Sequence, residues 1–349
     1  MIEIRKVRTP AEIRAYLNLP LQMYKNCPYF VPPLYADEKK MFRADYYQYK
    51  TCEAEHFLAL RDGRPVGRIT AIIQHVSNEK TGEKRLRFTH FDAPDDLEVA
   101  RALFDAAEAF GREKGMEKVC GPLSFSDLER EGLLIDGFDQ LSTFEEQYNY
   151  DYYARLIEAC GYSKEVDWYE YYLTCPETIP DIYRKTAERM LEMNGLHVAT
   201  ERNKRKFIEK YKDGIFHCLD ACYAPLYGTV PMTEEMKKQI VDQFMLIIRI
   251  DFVSVICDKD ENVVAFGLCF PSMGEALAGT NGKLTPRNLC RLLRAVRNPK
   301  VLDLGLIAVL PEYRLRGVNA YFLYGLMKWM KEHDIEHLVT NLCLEYNQA

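Results

Sequence analysis

The same order of predicted strands and helices occurs twice in the chain, and this repeat limits the fold more than any other sequence feature. Each copy has a two-stranded hairpin, a third strand, an amphipathic helix and a fourth strand. In the first copy the hairpin covers residues 56–73 and the later elements 86–123, and in the second copy they cover 252–270 and 301–344. Strands that alternate with single helices predict an α/β or α+β fold. We therefore expect the 349 residues to form two copies of one unit.

Local residue patterns support the individual elements. Asp62-Gly63 joins two apolar strands, and this dipeptide is typical of a tight hairpin turn. In the helix of the first copy the apolar residues recur with helical spacing. They are Val99, Ala100, Leu103, Phe104, Ala107 and Phe110. Pro176 and Pro180 lie between the two copies, where a break in regular structure is expected.

The two copies differ at their ends. The first continues through a predicted helix at 150–159 into an aromatic strand at 167–173, whereas the sequence ends at Ala349, shortly after the last strand of the second copy. We expect one domain at 1–175 and another at 176–349, with the closing helix and strands of the second domain missing.

Composition excludes several classes of function. The chain has 46 Lys and Arg against 52 Asp and Glu, a formal net charge of −6, which argues against a nucleic-acid partner. Its first residues lack the apolar core of a signal peptide, and no stretch approaches 18 uninterrupted apolar residues, so we expect a cytoplasmic protein without a membrane partner. Its eleven cysteines include no Cys-x-x-Cys pair, and no metal site is expected.

A strand, a turn and a helix give the strongest chemical signal. The apolar strand at 301–309 leads into a turn with Arg314, Arg316 and Gly317, and an amphipathic helix follows. The first N–H groups of a helix lack intrahelical partners and lie at the positive end of the helix dipole. Glycine allows a ligand close to the main chain, and the arginines add positive charge. The pattern predicts a phosphate or pyrophosphate site.

With its strand, helix and upstream hairpin, this turn resembles the GNAT superfamily of acyl-CoA-dependent N-acyltransferases. Their motif, Gln/Arg-x-x-Gly-x-Gly/Ala, is matched by Arg314 and Gly317, while Asn319 stands in the last position. The resemblance implies two units, each a mixed and mostly antiparallel sheet flanked by helices. It also implies that the turn amides hold the CoA pyrophosphate and that the strand end receives the pantetheine arm. The positions implied are Val309, Arg314, Leu315, Arg316, Gly317, Val318, Asn319 and Ala320.

The corresponding turn of the first copy is acidic. It contains Asp92, Asp95 and Asp96 where the second copy has arginines and glycine. Aspartate at a helix start caps the backbone amides, and its charge repels a pyrophosphate. The first unit is therefore predicted to be degenerate for CoA binding, with a structural or substrate-shaping role.

Transfer of an acyl group from a thioester to an amine needs a base for the amine and a proton donor for the thiolate. In some GNAT enzymes the base is a carboxylate eleven residues before the motif arginine, which is Asp303 here; a water-exposed aspartate at a strand end is the alternative. The family's tyrosine donor follows an asparagine that would be Asn347, so it would lie past the end of the sequence. Tyr152 or Tyr153 stands at that place in the first copy, although a packing role is also open for them.

The resemblance predicts an N-acyltransferase. It would transfer an acetyl group from acetyl-CoA, or another acyl group from its CoA thioester, to an amine of a small molecule or peptide by direct attack in a ternary complex, without a metal. The alternative is a non-catalytic GNAT-fold binding or interaction protein that retains at most CoA binding. Asn319, the acidic first turn and the missing closing helix of the second copy favour this alternative.

One more segment, residues 283–300, has six basic and no acidic side chains. It could contact an anionic substrate, the CoA 3′-phosphate or a membrane surface. A solvated basic helix face is the preferred interpretation.

Overall fold

A computed structural model describes residues 1–346 of the protein, with the side chains of 244–247 outside the description. It divides into two compact units. The first contains Met1–Val166, Gly228–Val230 and Gly274–Leu292, and the second contains Asp167–Tyr227, Pro231–Met273 and the chain from Leu293. In the part of the chain so described, no helix is both long and apolar enough to cross a membrane.

The first unit is built on a five-stranded sheet. Its elements are β1 (Ile2–Lys6), α1 (Pro10–Met23), α2 (Tyr35–Glu38), β2 (Cys52–Arg61), β3 (Arg64–Gln74), α3 (His75–Thr81), β4 (Arg85–Asp92), α4 (Leu97–Glu113), β5 (Lys118–Cys120) and α5 (Tyr152–Ala159), with 3-10 turns at Lys39–Phe42 and Tyr47–Lys50. Strands β1 to β4 pair antiparallel in sequence order, and β5 pairs parallel with β4. The predicted mixed and mostly antiparallel sheet is confirmed.

Helix α4 covers this sheet with the apolar stripe that the sequence predicts. Leu103 and Phe104 are fully buried, and the Phe104 ring meets the Phe88 ring edge to face at 5.0 Å. Burial of each such side chain stabilises the unit by about 1.5–3 kcal/mol. Asp96 is the N-cap residue of this helix, and its side chain accepts hydrogen bonds from two N–H groups of the first turn.

The second unit is built on a six-stranded sheet in the order β7-β12-β11-β10-β9-β8. From residue 167 on, the elements are β6 (Trp168–Tyr169), β7 (Tyr172–Leu173), α6 (Asp181–Asn194), β8 (His197–Val198), α7 (Lys204–Tyr223), α8 (Glu234–Ile247), β9 (Val253–Cys257), β10 (Val263–Pro271), α9 (Gly274–Leu277), α10 (Pro286–Arg297), β11 (Val301–Val309), α11 (Val318–Glu332), β12 (His337–Thr340) and β13 (Cys343–Leu344), with 3-10 turns at Ile250–Phe252 and Pro311–Tyr313. Of these, α9 and residues 286–292 of α10 belong to the first unit. Strands β8 to β11 pair antiparallel and β11 pairs parallel with β12, so this sheet is also mixed.

A segment that precedes the second repeat adds the outermost strand to its sheet. Strand β7 pairs antiparallel with β12, and β6 pairs antiparallel with β13. The sequence suggests instead that residues 167–173 follow the first unit. An open strand edge presents unpaired N–H and C=O groups. Here the Thr340 N–H donates to the Tyr171 carbonyl oxygen, and the Tyr171 N–H donates to the Thr340 hydroxyl. Asn347 lies outside the described residues.

Candidate functional site

The predicted phosphate turn lies between β11 and α11, and its backbone is sharply bent. After the 3-10 turn, Arg314 is extended, Leu315 has φ +60° and Gly317 has φ +84°. A Cβ atom on Gly317 would lie an ordinary 3.4 Å from the Met190 Cγ atom. The left-handed backbone, rather than a lack of space, therefore explains glycine at this position.

The start of helix α11 has no side-chain cap. Gly317 is the N-cap residue and provides no side chain, and the Ala320 N–H bonds to the Gly317 carbonyl oxygen at 2.9 Å. Four N–H groups at the start of a helix lack intrahelical partners. The turn therefore offers backbone donors at the positive end of the helix dipole, which is the arrangement that binds phosphate groups.

Both arginines of the turn are exposed. The Arg314 Nε atom donates to the Val309 carbonyl oxygen at 3.3 Å, and the Arg316 guanidinium lies over the Tyr313 ring at 5.1 Å. Among the residues that the structure describes, no carboxylate lies within ion-pair distance of either one. Their positive charge is thus available to an anion at the turn.

Strand β11 separates from its parallel neighbour before it reaches the turn. Its pairing with β12 covers Val301–Leu304, and the last bond runs from the Asn341 N–H to the Leu304 carbonyl oxygen at 3.1 Å. The chain then turns away into β13, while β11 continues to Val309. One edge of β11 at residues 305–309 therefore has no strand partner within the described chain.

One tyrosine hydroxyl occupies this open edge. The Tyr223 hydroxyl donates to the Ile307 carbonyl oxygen at 3.1 Å and accepts from the Ile307 N–H at 3.4 Å. Nearby, the Cys222 thiol donates to the Val309 carbonyl oxygen at 3.2 Å. Both main-chain groups of Ile307 thus point into the gap, and its side chain is 38% exposed. The edge offers one N–H donor and an apolar surface.

Helix α7 carries Tyr223 at its last residue and lies unusually close to the sheet. A Cβ atom on Gly214 would be only 2.5 Å from the Val263 Cγ2 atom on β10, so the approach requires glycine. The Cys218 thiol donates to the Val263 carbonyl oxygen at 3.4 Å. The sequence did not identify Tyr223, because an aromatic residue at a helix end is also an ordinary packing residue.

Asp303 lies in the paired part of β11, away from the open edge. It is 6% exposed, stands opposite Phe270 on β10 and is adjacent to Val339 on β12. Burial raises the pKa of the Cys269 thiol, and the negative charge of Asp303 raises it further. Ile307 is four positions after Asp303, which is about 13 Å along the strand. The structure brings Val309 and the turn residues together, but it does not bring Asp303 to them.

In the first unit, side chains of the chain itself occupy the equivalent turn. The Asp96 carboxylate accepts from the Glu98 N–H at 2.9 Å and from the Val99 N–H at 3.4 Å. The Tyr152 hydroxyl donates to the Ala93 carbonyl oxygen at 3.0 Å. The first amides of α4 are therefore already bonded to a carboxylate, as the acidic sequence of this turn predicts.

A buried polar network adjoins that turn. Arg68 and Asp92 form an ion pair at 2.6 Å with both side chains almost completely buried. The Tyr24 and Tyr153 hydroxyls each donate to Asp92 at 3.2 Å. Burial, followed by the charge of Asp92, raises the pKa of both tyrosines well above the usual value, so both remain protonated donors. Tyr153 stands at the position of the family's tyrosine donor, and in this structure its hydroxyl is bonded to the buried Asp92.

A second pair in the first unit joins His90 on β4 to Glu38 on α2. The His90 Nε2 atom lies 3.1 Å from a Glu38 carboxylate oxygen, and His90 has φ +49°, which is rare for a residue with a Cβ atom. Burial raises the pKa of Glu38, but the charges of His90, Arg68 and Arg130 outweigh it and lower that pKa to about 2. No sequence motif marks this pair, since its members are 52 residues apart.

No group of His, Cys, Asp and Glu in residues 1–346 has the arrangement of a metal site. The eleven cysteines are all free, and Cys218 and Cys222 of α7 bond to backbone carbonyls.

No family model matches the sequence. The chain is 26% identical over 356 residues to protein YghO of Escherichia coli K12, covering 99% of this chain and 89% of that protein. It is 30% identical over 302 residues to the bacterial ceramide synthase of Caulobacter vibrioides NA1000, covering 84% of this chain and 76% of that protein.

Two solved structures show the same fold. A tandem GNAT protein from the clavulanic acid biosynthesis pathway aligns with all of this chain and 91% of its own, with a TM-score of 0.53 and 11% identity. A GCN5-related N-acetyltransferase from Sphaerobacter thermophilus aligns with all of this chain and 89% of its own, with a TM-score of 0.50 and 12% identity. The predicted fold, two GNAT units in tandem, is confirmed.

Proposed function

The chain belongs to the family of the bacterial ceramide synthase of Caulobacter vibrioides and has the fold of tandem GNAT proteins, and on these two premises we propose that it transfers an acyl group from acyl-CoA to the amine of a long-chain amino alcohol. A ceramide is the amide of a fatty acid and such an alcohol. The observation that carries the proposal is the combination, in one unit, of an uncapped helix start and an open strand edge.

The turn supports CoA binding through its backbone and its charge. The open amides of α11 are suited to the pyrophosphate, and Arg314 and Arg316 are suited to its charge. Gly317 keeps the main chain accessible. Asn319 at the last motif position is exposed, so its side chain leaves the backbone donors accessible. These features fit acyl-CoA as the co-substrate.

The open edge of β11 supports a place for the thioester. In the proposed reaction, the amine nitrogen bonds to the acyl carbon, the carbon–sulfur bond breaks, and the proton lost by the amine is balanced by one gained by the thiolate. The Ile307 N–H is positioned to donate to an oxygen that becomes negative as the nitrogen attacks. For this, the Tyr223 hydroxyl has to leave Ile307.

Asp303 remains our candidate for the base. Its separation of about 13 Å from Ile307 along the strand means that a proton from an amine at the edge can reach it only through water. The Tyr223 hydroxyl is closer to the open edge, because it bonds to Ile307 itself. The Asp303→Asn variant described below tests whether Asp303 is the base.

The second candidate function is a CoA-binding protein without turnover. The bonds between Tyr223 and Ile307 favour it, since they fill the site where a thioester would be polarised. The acidic turn of the first unit is consistent with it as well.

The proposal is tested by calorimetric titration with acetyl-CoA, palmitoyl-CoA and CoA, and by mass spectrometry of the amide formed from sphinganine. Binding of all three and formation of N-acyl sphinganine are expected. Binding without amide from sphinganine or from short amines supports the second candidate. Absence of binding at millimolar ligand contradicts both.

The location of the site is tested by Gly317→Glu, with Gly325→Glu as the matched control. Gly325 lies in the same helix and has open space around it, so a glutamate there adds the same charge without closing the turn. Loss of CoA binding in Gly317→Glu alone is expected. Equal binding by Gly317→Glu and the original protein places the co-substrate elsewhere.

A further inference from the structure

Helix α10 lies in a long segment without acidic residues. Residues 276–302 contain six Lys or Arg and no Asp or Glu. The sequence favours a solvated basic face for residues 283–300 of this segment and no membrane partner. That interpretation requires the apolar residues of the helix to be turned towards the protein.

The structure instead shows leucines on the exposed surface of α10. Leu289 and Leu293 are four residues apart and so share one side of the helix. They are 42% and 57% exposed, and Leu284, just before the helix, is exposed as well. Leu292 is the leucine of this helix that is buried against the protein. Two adjacent exposed leucines on a helix leave an apolar surface without a partner in the described chain.

Arginines lie alongside these leucines. Arg287, Arg294 and Arg297 are spaced by seven and three residues, so they follow one strip along the helix. All three are exposed, and none has a carboxylate within ion-pair distance among residues 1–346. The exposed surface of α10 therefore combines an apolar strip and a strip of uncompensated positive charge.

We propose that α10 binds the surface of an anionic lipid bilayer. An amphipathic helix with leucines on one face and arginines beside them lies in the membrane interface, where the leucines enter the acyl boundary and the arginines meet lipid phosphates. Each basic residue near an anionic surface contributes about 1 kcal/mol, roughly a fivefold change in partitioning. The positive charge of the arginines complements the negative lipid phosphates, and this favours an anionic bilayer over an uncharged apolar partner.

Helix α7 shows that positive charge alone does not produce this surface. It exposes Arg205, Lys206 and Lys212, yet none of its described large apolar side chains is exposed. A solvated basic helix has this character. The exposed leucines therefore distinguish α10 from an ordinary basic face, and they are also a poor match to a nucleic acid.

This inference goes beyond acyl transfer and does not depend on it. A bilayer surface would hold a long-chain amine or acyl product next to the protein, but α10 contains none of the residues assigned to the reaction. Binding to vesicles and turnover on a soluble amine can therefore fail separately.

The experiment uses flotation of the full chain with phosphatidylcholine vesicles, with and without one third phosphatidylglycerol. Of the eleven cysteines, all within the described residues, only Cys290 is exposed, and it lies on α10. A polarity-sensitive fluorophore on Cys290 therefore reports directly on the helix. Binding to the anionic vesicles and a blue shift of the fluorophore are expected, with little binding to neutral vesicles.

Two sets of variants test which strip acts. The first set replaces three arginines together, and it is expected to lower partitioning into anionic vesicles roughly a hundredfold: Arg287→Gln, Arg294→Gln and Arg297→Gln. The second set combines Leu289→Ser with Leu293→Ser, and it is expected to abolish the blue shift of the fluorophore. Arg205→Gln, Lys206→Gln and Lys212→Gln remove the same charge from α7 and serve as the control. The proposal is overturned if the α7 control loses as much vesicle binding as the α10 arginine variant, or if the original chain does not bind the vesicles. The proposal is also overturned if the original chain is a dimer and the leucine variants are monomers, because a second copy of the chain would then cover this face of α10.

Discussion

The Tyr223 hydroxyl bonds to both main-chain groups of Ile307, and Tyr223→Phe removes these two bonds while the ring remains. The distances are 3.1 Å and 3.4 Å, the second near the long limit of a hydrogen bond. A neutral bond of this kind contributes about 0.5–1.5 kcal/mol net. A thioester that binds to the Ile307 N–H has to break the same bonds. We therefore expect Tyr223→Phe to bind acyl-CoA about fivefold more tightly, which corresponds to about 1 kcal/mol.

The assay is calorimetric titration of acetyl-CoA, together with chemical denaturation of the free protein. The unfolding free energy should fall by about 1 kcal/mol while affinity rises. Tyr162→Phe is the control, because the Tyr162 hydroxyl donates to Glu108 at 2.9 Å in the first unit. It should lose stability without any change in affinity. Unchanged or weaker acetyl-CoA binding by Tyr223→Phe would refute competition at Ile307, and a lower kcat at equal affinity would make Tyr223 a proton donor instead.

Three further predictions concern single carboxylates. Asp303→Asn should leave the acetyl-CoA dissociation constant unchanged and lower turnover of an accepted amine at least tenfold; unchanged turnover removes Asp303 as the base. Asp96→Ala should lower the unfolding free energy by about 1 kcal/mol, the usual effect of losing a helix cap, with CoA affinity preserved; weaker CoA binding would show that the turn of the first unit takes part. The pKa of Glu38 is lowered from 4.5 to about 2, so its contribution to stability is present above pH 4.5 and is lost as the pH falls through 2. In Glu38→Gln the unfolding free energy, measured by denaturation at a series of pH values, should fall less steeply between pH 4.5 and 2 than in the original protein. The same slope in both proteins would contradict the pairing of Glu38 with His90.

The sequence predicts the architecture well because both copies carry local signals. The Asp62-Gly63 turn has positive φ at both residues, and β11 covers the residues predicted for it. Strands β6 and β7 are the exception. Their residues follow the first unit in the chain, but they pair with β12 and β13. Strand pairing between residues about 170 apart leaves no local pattern in a sequence.

The candidate site is predictable only where it depends on backbone conformation. A glycine after a strand and before a helix predicts the turn, and Gly317 has the positive φ that explains it. Tyr223 was missed because its role comes from the close approach of α7 at Gly214, a contact with Val263 about 50 residues later. Exposure of Leu289 and Leu293 was missed for a related reason, since which face of a helix meets the protein depends on tertiary structure.

The two turns differ in what satisfies the first amides of the following helix. In the first unit Asp96 does so, and such a cap contributes about 1 kcal/mol to stability. In the second unit Gly317 contributes no cap, and the backbone before it holds Leu315 at φ +60°, with its side chain fully exposed. Stability alone favours the first arrangement, because a left-handed leucine is strained and exposed apolar surface gains nothing. An anion on the open amides offsets both costs, and so the less stable of the two turns is the one we assign to acyl-CoA.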